Sequence, residues 1–196
     1  MTESTGFTRR HFLSVATAVT GGVGVVAAAV PFVASFQPSA RAQALGAPVS
    51  VDIGKIEPGA MLKVEWRGHP IYIVHRTEPM LDELSEDNDL LRDPDSEESI
   101  QPPYAENEYR SIRPAVLVLV GVCTHLGCAP MARFEVAAAD LGPEWPGGFY
   151  CPCHGSKFDM AGRVFKGVPA PTNLTVPPYR FVNDSTLLIG SDTGAS

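Results

Sequence analysis

The sequence predicts a mainly β head carried on one N-terminal helix able to cross a membrane, and three observations predict it. Eighteen glycines and eighteen prolines are spread through 196 residues with few long helical patterns, which favours strands and loops over a bundle. From Val49 onward, several short runs alternate apolar and polar residues with period two, the signature of half-buried strands. Ahead of them, no charged side chain occurs between Leu13 and Phe36. As helix, that stretch reaches about 36 Å, more than the roughly 30 Å of a bilayer core. The length suits one globular domain plus a tail, and no internal repeat is visible.

The net charge of −7 is unevenly placed: Arg9, Arg10 and Arg41 against Glu3 leave residues 1–48 at +2 and the remainder at −9. An acidic head of this kind does not suit nucleic acid as a partner. Nine acids lie between Asp82 and Glu98 against the single Arg92, which reads as a solvated surface loop.

In chain order, Thr8-Arg9-Arg10-His11-Phe12-Leu13 opens the apolar stretch in the manner of a twin-arginine export signal, a receptor-read address. Gly21, Gly22 and Gly24 weaken the helix over residues 13–36, and Pro31 is expected to kink or end it. Two fates are open on the residues alone. The segment is retained as an anchor, with residues 1–12 a cytoplasmic tail under the positive-inside rule, or it is cleaved at Ala40-Arg41-Ala42 or Ala42-Gln43-Ala44. Residues 37–48 hold Pro38, Pro48, Gly46, several alanines and one charge with no amphipathic face, so they read as a linker to a head spanning 49–196.

Within the head, Val49–Ile53, Met61–Trp66 and Ile71–Val74 are expected as strands of one base sheet, punctuated by Gly59 and a Gly68-His69-Pro70 turn. His69 and His75 are expected as surface or strand residues. A short helix is expected within 78–91, and 92–113, polar and Pro-bearing, reads as an irregular excursion. The apolar run 115–122 reads as a strand, 131–146 as a loop with Trp145 and Phe134 as core anchors, and Gly148-Phe149-Tyr150 as a second strand. Phe158, Val164 and Phe165 follow as strand residues, and Gly167–Pro171 as a proline-stiffened loop. A hairpin, 179–182 and 186–189 turned at Asn183-Asp184-Ser185, is expected to close the base sheet.

The chemistry lies in two segments that hold all four cysteines, each with a histidine: Cys123-Thr124-His125-Leu126-Gly127-Cys128 and Cys151-Pro152-Cys153-His154-Gly155-Ser156. Each follows an expected strand, so two loops converge on one place. Two thiolates and two imidazoles suit a tetrahedral zinc ion, and equally a 2Fe-2S cluster with thiolates on one iron and imidazoles on the other. Spacing does not separate the two.

The letters do more. C-T-H-L-G-C and C-P-C-H-G-S, continued by Asp159, Gly162, Lys166 and Pro169-Ala170-Pro171, resemble the high-potential Rieske iron-sulfur subunits of bacterial cytochrome bc complexes. The resemblance implies a Rieske-type antiparallel β head whose cluster-binding part is about 115–171. It implies one 2Fe-2S cluster held by Cys123, His125, Cys151 and His154, with Cys128 and Cys153 joined as a disulfide. Ser156 corresponds to a serine that donates to a bridging sulfide, Pro152 stiffens its loop, and Leu126 offers an apolar face to a quinone pocket. His154, at the tip, is expected to accept a hydrogen bond and a proton from quinol. Neutral imidazoles in place of two thiolates make the cluster less negative and lift its potential into a range of about −150 to +300 mV, which suits quinol oxidation.

The resemblance further implies a retained anchor, a hinge at 37–48, and a head in the periplasm of a bacterium, single-pass in its inner membrane. The electron would go to a membrane-bound c-type cytochrome, with cytochrome b as the other partner, within a dimeric complex. The other readings are a Rieske subunit of another exported oxidoreductase, such as an arsenite oxidase, and a zinc-stabilised binding module. One departure stands out: Phe158 occupies a position where a common form of the motif has tyrosine, whose phenol donates to a ligand cysteine sulfur, Cys151 here.

Overall fold

The computed structural model describes residues 8–86 and 88–193, so residues 1–7 of the expected cytoplasmic tail lie outside the described residues. The chain divides between Ala44 and Leu45 into two compact units. The first is dominated by helix α1 (Arg9–Ala34), capped by Thr8, whose hydroxyl accepts from the His11 N–H at 3.4 Å. None of its residues is buried, and its mean hydropathy of 1.9 meets the requirement for a bilayer span. Pro31 does not end it; the helix runs on to Ala34, where the Ser35 N–H closes the last turn on Pro31 O and Phe32 O.

The linker carries more structure than its composition announced. Ala40–Gly46 forms a short helix, α2, with Ser39 Oγ accepting from the Ala42 N–H at 3.2 Å. Ala40, Ala42 and Ala44 are strong helix formers, and the lack of an amphipathic face forbids packing rather than helix; no residue of α2 is buried.

Among the described residues the head holds three antiparallel three-stranded sheets, and the strands expected in one base sheet divide between two of them. In the first, β1 (Val49–Asp52) pairs with the last strand, β9 (Thr186–Ile189), which pairs in turn with β8 (Tyr179–Asn183). In the second, β2 (Met61–Trp66), β3 (His69–His75) and β4 (Val116–Val120) run in order. Val51 thus faces Leu187 across the first sheet, while Ile71, Ile73, Leu117 and Leu119 are buried in the second, and one apolar core joins them. The hairpin between β2 and β3 turns on Arg67 and Gly68, both at positive φ (53° and 75°), so His69 and Pro70 belong to the strand and not to the turn. His69 is exposed and His75 partly buried, its Nδ1 2.7 Å from Ile56 O.

The third sheet carries the chemistry: β5 (Met131–Arg133), β6 (Gly148–Tyr150) and β7 (Lys157–Phe158). β5 was not foreseen, since only three residues of the expected loop are strand; beyond it Trp145 donates Nε1–H to Arg133 O at 3.0 Å and is buried against Phe165 and Ala138. After β3 the chain forms α3 (Glu78–Glu86) and a 3₁₀ turn at Asn88–Leu90, Leu91 bridges Phe165, and the excursion over 92–113 follows with a further 3₁₀ turn at Pro103–Ala105. One of its acids is not solvated. Asp93 is buried, its carboxylate accepting from the Glu97 and Glu98 N–H groups and from Ser99 Oγ.

Candidate metal centre

β4 ends just short of Cys123, β6 ends immediately before Cys151, and β7 starts immediately after Ser156. Both boxes are therefore short loops held at strand ends, and they share one backbone scheme. In the first, the Cys123 N–H donates to Cys128 O (2.7 Å) and the Gly127 N–H to Cys123 O (2.9 Å). In the second, the Cys151 N–H donates to Ser156 O (2.8 Å) and the Gly155 N–H to Cys151 O (2.9 Å). The fifth residue of each loop turns through the left-handed region, Gly127 at φ +81° and Gly155 at +76°, which glycine adopts at little cost.

The loops are tied to each other and to a third. Cys128 and Cys153 form a disulfide, with Cα atoms 6.6 Å apart. Thr124 Oγ1 donates to Thr172 O at 2.7 Å, and the Ala170 N–H donates to Ser156 Oγ at 3.1 Å, so the proline-bearing segment after Gly167 is pinned to both boxes. Behind the first box, the Tyr72 ring lies over Gly121, where a Cβ would come within 2.4 Å of it, and its hydroxyl donates to Pro130 O. Nothing in the one-dimensional pattern marks Thr124, Thr172 or Tyr72 for these contacts, since a hydroxyl reaching a carbonyl 48 residues away has no local signature.

Cys123 and Cys151 are the free cysteines, each only 2 % exposed, on two loops joined by the disulfide. The His125 and His154 rings stand edge to face with centroids 4.8 Å apart, His125 partly buried and His154 exposed. Leu126 is 70 % exposed, and Pro152 in the other loop is exposed too. Burial pushes the Cys123 thiol up from its ordinary range; the neighbouring Cys151 adds to this, while hydrogen bonds at His125 and from Ser156 act the other way. Two adjacent buried thiols need a cation to become thiolates, and soft thiolates with imidazoles are the donors that iron and zinc take. The residues fit a metal centre.

A tighter sulfur grouping exists, Cys128, Cys151 and Cys153, with Sγ atoms within 4.8 Å of one another. It is not a ligand set, because two of the three sulfurs are spent on the disulfide and have no thiolate to give.

The comparisons decide between the metals. The family model described as the Rieske [2Fe-2S] domain matches residues 49–179, and that described as the ubiquitinol-cytochrome C reductase Fe-S subunit TAT signal matches residues 1–39. The chain is 57% identical over 188 residues to the ubiquinol-cytochrome c reductase iron-sulfur subunit of Allochromatium vinosum, covering 96% of this chain and 91% of that one. It is 45% identical over 184 residues to the subunit of the same name from Bradyrhizobium diazoefficiens, covering 93% and 94%. A solved chain from a hyperthermophilic respiratory Complex III aligns with TM-score 0.48 and 24% identity, over 89% of this chain and 98% of that chain. The two boxes are thus those of an iron-sulfur protein and not of a zinc module. With one family model over most of its length, another over its N-terminus, and relatives this similar from end to end, the chain belongs to the Rieske [2Fe-2S] family, among the ubiquinol-cytochrome c reductase iron-sulfur subunits.

Proposed function

We propose that this chain is the electron-transfer subunit of a quinol-cytochrome c reductase, taking one electron from quinol and passing it to a membrane-bound c-type cytochrome. Cys123, His125, Cys151 and His154 would hold the 2Fe-2S cluster, which when bound supplies a one-electron acceptor whose potential the two imidazoles raise. The observation that carries the reading is the pairing of two buried, adjacent thiols with two neighbouring imidazoles, one of them exposed.

The side chains divide the work. His154 lies at the surface, where its outer ring nitrogen can accept a hydrogen bond and then a proton from a quinol hydroxyl. Leu126 and Pro152 add exposed apolar surface, which suits a quinone ring and keeps water from it. Ser156, buried, holds the third loop by accepting from the Ala170 N–H, and its hydroxyl proton would be free to donate to sulfur. The disulfide and the Thr124–Thr172 bond hold the loops closed around the thiols.

α1 serves as the single-pass anchor, which would put Arg9 and Arg10 on the cytoplasmic side of a bacterial inner membrane and the head, residues 49–196, in the periplasm. Residues 37–48 act as the hinge that lets one exposed site meet two partners in turn, cytochrome b with its quinol and the c-type cytochrome, within a dimeric complex. The names of the relatives favour this assembly over another exported oxidoreductase such as an arsenite oxidase. Purification from membranes tests it: cytochromes b and c should travel with the chain, and the reduced protein should give a paramagnetic signal. A chain that purifies with neither cytochrome, or a colourless one that carries zinc, overturns it.

A further inference from the structure

Behind the second box lies a group of charges that the site as described leaves unused. Asp159, Arg163, Arg110 and Arg76 are all buried, at 0 %, 1 %, 0 % and 2 % exposure. They surround the turn from Asp159 to Gly162, which leads out of β7 and back to Val164, opposite Phe158. Asp159 accepts from the Ala161 and Arg163 N–H groups (2.8 and 2.7 Å) and from Arg163 Nε (2.6 Å). Arg76 donates to Met160 O, Tyr109 O, Pro114 O and Ser111 Oγ, and Arg110 to Ala161 O, Gly162 O and Gln101 Oε1. The partners of both are neutral oxygens, and Arg110 Nε is buried with no partner. Among the described residues, the one ion pair in the group is Arg163 with Asp159, and Asp93 is the other buried carboxylate nearby.

A turn of this kind needs hydrogen bonds, which neutral side chains provide without the cost of burying a charge. Here three guanidiniums are buried against two carboxylates, leaving an excess of positive charge. Burial lowers Arg76 and Arg110 to about 10, so both remain charged at neutral pH. Asp159 follows Ser156 by three residues, at most about 10 Å of chain, and Ser156 closes the second box, its carbonyl accepting from the Cys151 N–H at 2.8 Å. Over such a distance in a protein interior, a charge still acts strongly and salt screens it little.

We propose that this buried group sets the reduction potential of the cluster, with Arg110 and Arg76 raising it and Asp159 lowering it. The inference rests on the cluster assignment above. Reduction adds one negative charge to the centre, so a fixed cation favours the reduced form and a fixed anion the oxidised form. Their hydrogen bonds reach none of Cys123, His125, Cys151 and His154, so they act through the field.

Charge and structure make opposite predictions here. Arg110→Met and Asp159→Asn both remove hydrogen bonds from the same turn, so a merely structural role moves the midpoint in the same direction in both, or in neither. A charge role moves them apart. The test is redox titration of the purified full-length protein, at low and high salt, with its circular dichroism and the paramagnetic signal of the reduced form as checks on folding and cluster content. The expected result is a lower midpoint in Arg110→Met and a higher one in Asp159→Asn, both persisting at high salt. Where Arg110→Met loses its cluster, Arg76→Met takes its place with the same expected sign. Shifts of equal sign, or none, overturn the proposal, as does loss of the cluster in every variant, which would mark the group as structural. A wild-type protein with no paramagnetic signal would instead overturn the cluster assignment.

Discussion

The two box loops have the same backbone and different side chains at matching positions. Each closes with a bond from its first N–H to its sixth carbonyl, and each turns on a glycine at its fifth residue. Their first residues, Cys123 and Cys151, are equally buried. From there the loops part. The third position is His125 in one and Cys153 in the other, the fourth is Leu126 against His154, and the sixth is Cys128 against Ser156. The disulfide therefore joins the sixth position of one loop to the third of the other. A common scaffold sets the thiols symmetrically, while a one-residue offset of histidine puts one imidazole partly inside and the other at the surface. The lesson is that the backbone prepares a pair of equal sites, and residue register alone makes one of them the exposed face.

That comparison can be broken most directly at the first positions. Cys123→Ser and Cys151→Ser should each abolish the visible colour and the paramagnetic signal of the reduced protein; a cluster retained in one of them would show that the two thiols are not equivalent. Next in size is the disulfide. Cys128→Ser and Cys153→Ser should destabilise the head equally, by about 2 to 4 kcal/mol in denaturant unfolding, and release iron faster. Wild-type stability and iron retention would mean that the third loop alone holds the boxes together.

The shared turn offers a finer measure. Gly127→Ala and Gly155→Ala each place a Cβ in the left-handed region with no close neighbour at Gly127 and only Tyr150 Oη, at 4.0 Å, near Gly155. Each should cost about 1 to 2 kcal/mol, and nearly the same amount. A large inequality in their unfolding midpoints would end the claim of a common scaffold. The smallest effect belongs to Phe158, fully buried and opposite Phe149 on β6. A tyrosine there, reaching the sulfur of Cys151, would favour the reduced state by about 1 kcal/mol, given that hydrogen bonds to charged groups are worth about 1.5 to 3 kcal/mol in all. At about 59 mV per tenfold for one electron, Phe158→Tyr should raise the midpoint by some tens of millivolts. An unchanged midpoint in a folded protein would place the ring away from the sulfur.

Local pattern was enough for much of this molecule. The apolar stretch from Leu13 to Phe36 spelled out α1, and the period-two runs marked β1, β2, β3 and the closing hairpin, because helix length and strand alternation are properties of neighbouring residues. The box letters brought every cysteine and both histidines of the site to notice, since such spacings are themselves local. What the sequence alone did not determine was which strands pair. β1 joins β9 across more than a hundred residues rather than its neighbour β2, since register depends on which apolar faces share a core. The short β5 was hidden because three residues carry too little period to read. α2 was hidden because none of its residues is buried, so no apolar face marks it. Most of all, the buried charges were decided by tertiary structure: Arg110 and Asp93 look in the sequence like ordinary solvated residues of a polar excursion, and Arg76 like the polar end of a strand. Only when that excursion folds back over the turn at Asp159 do carbonyls and amides of the excursion and of the turn take the place of water around them.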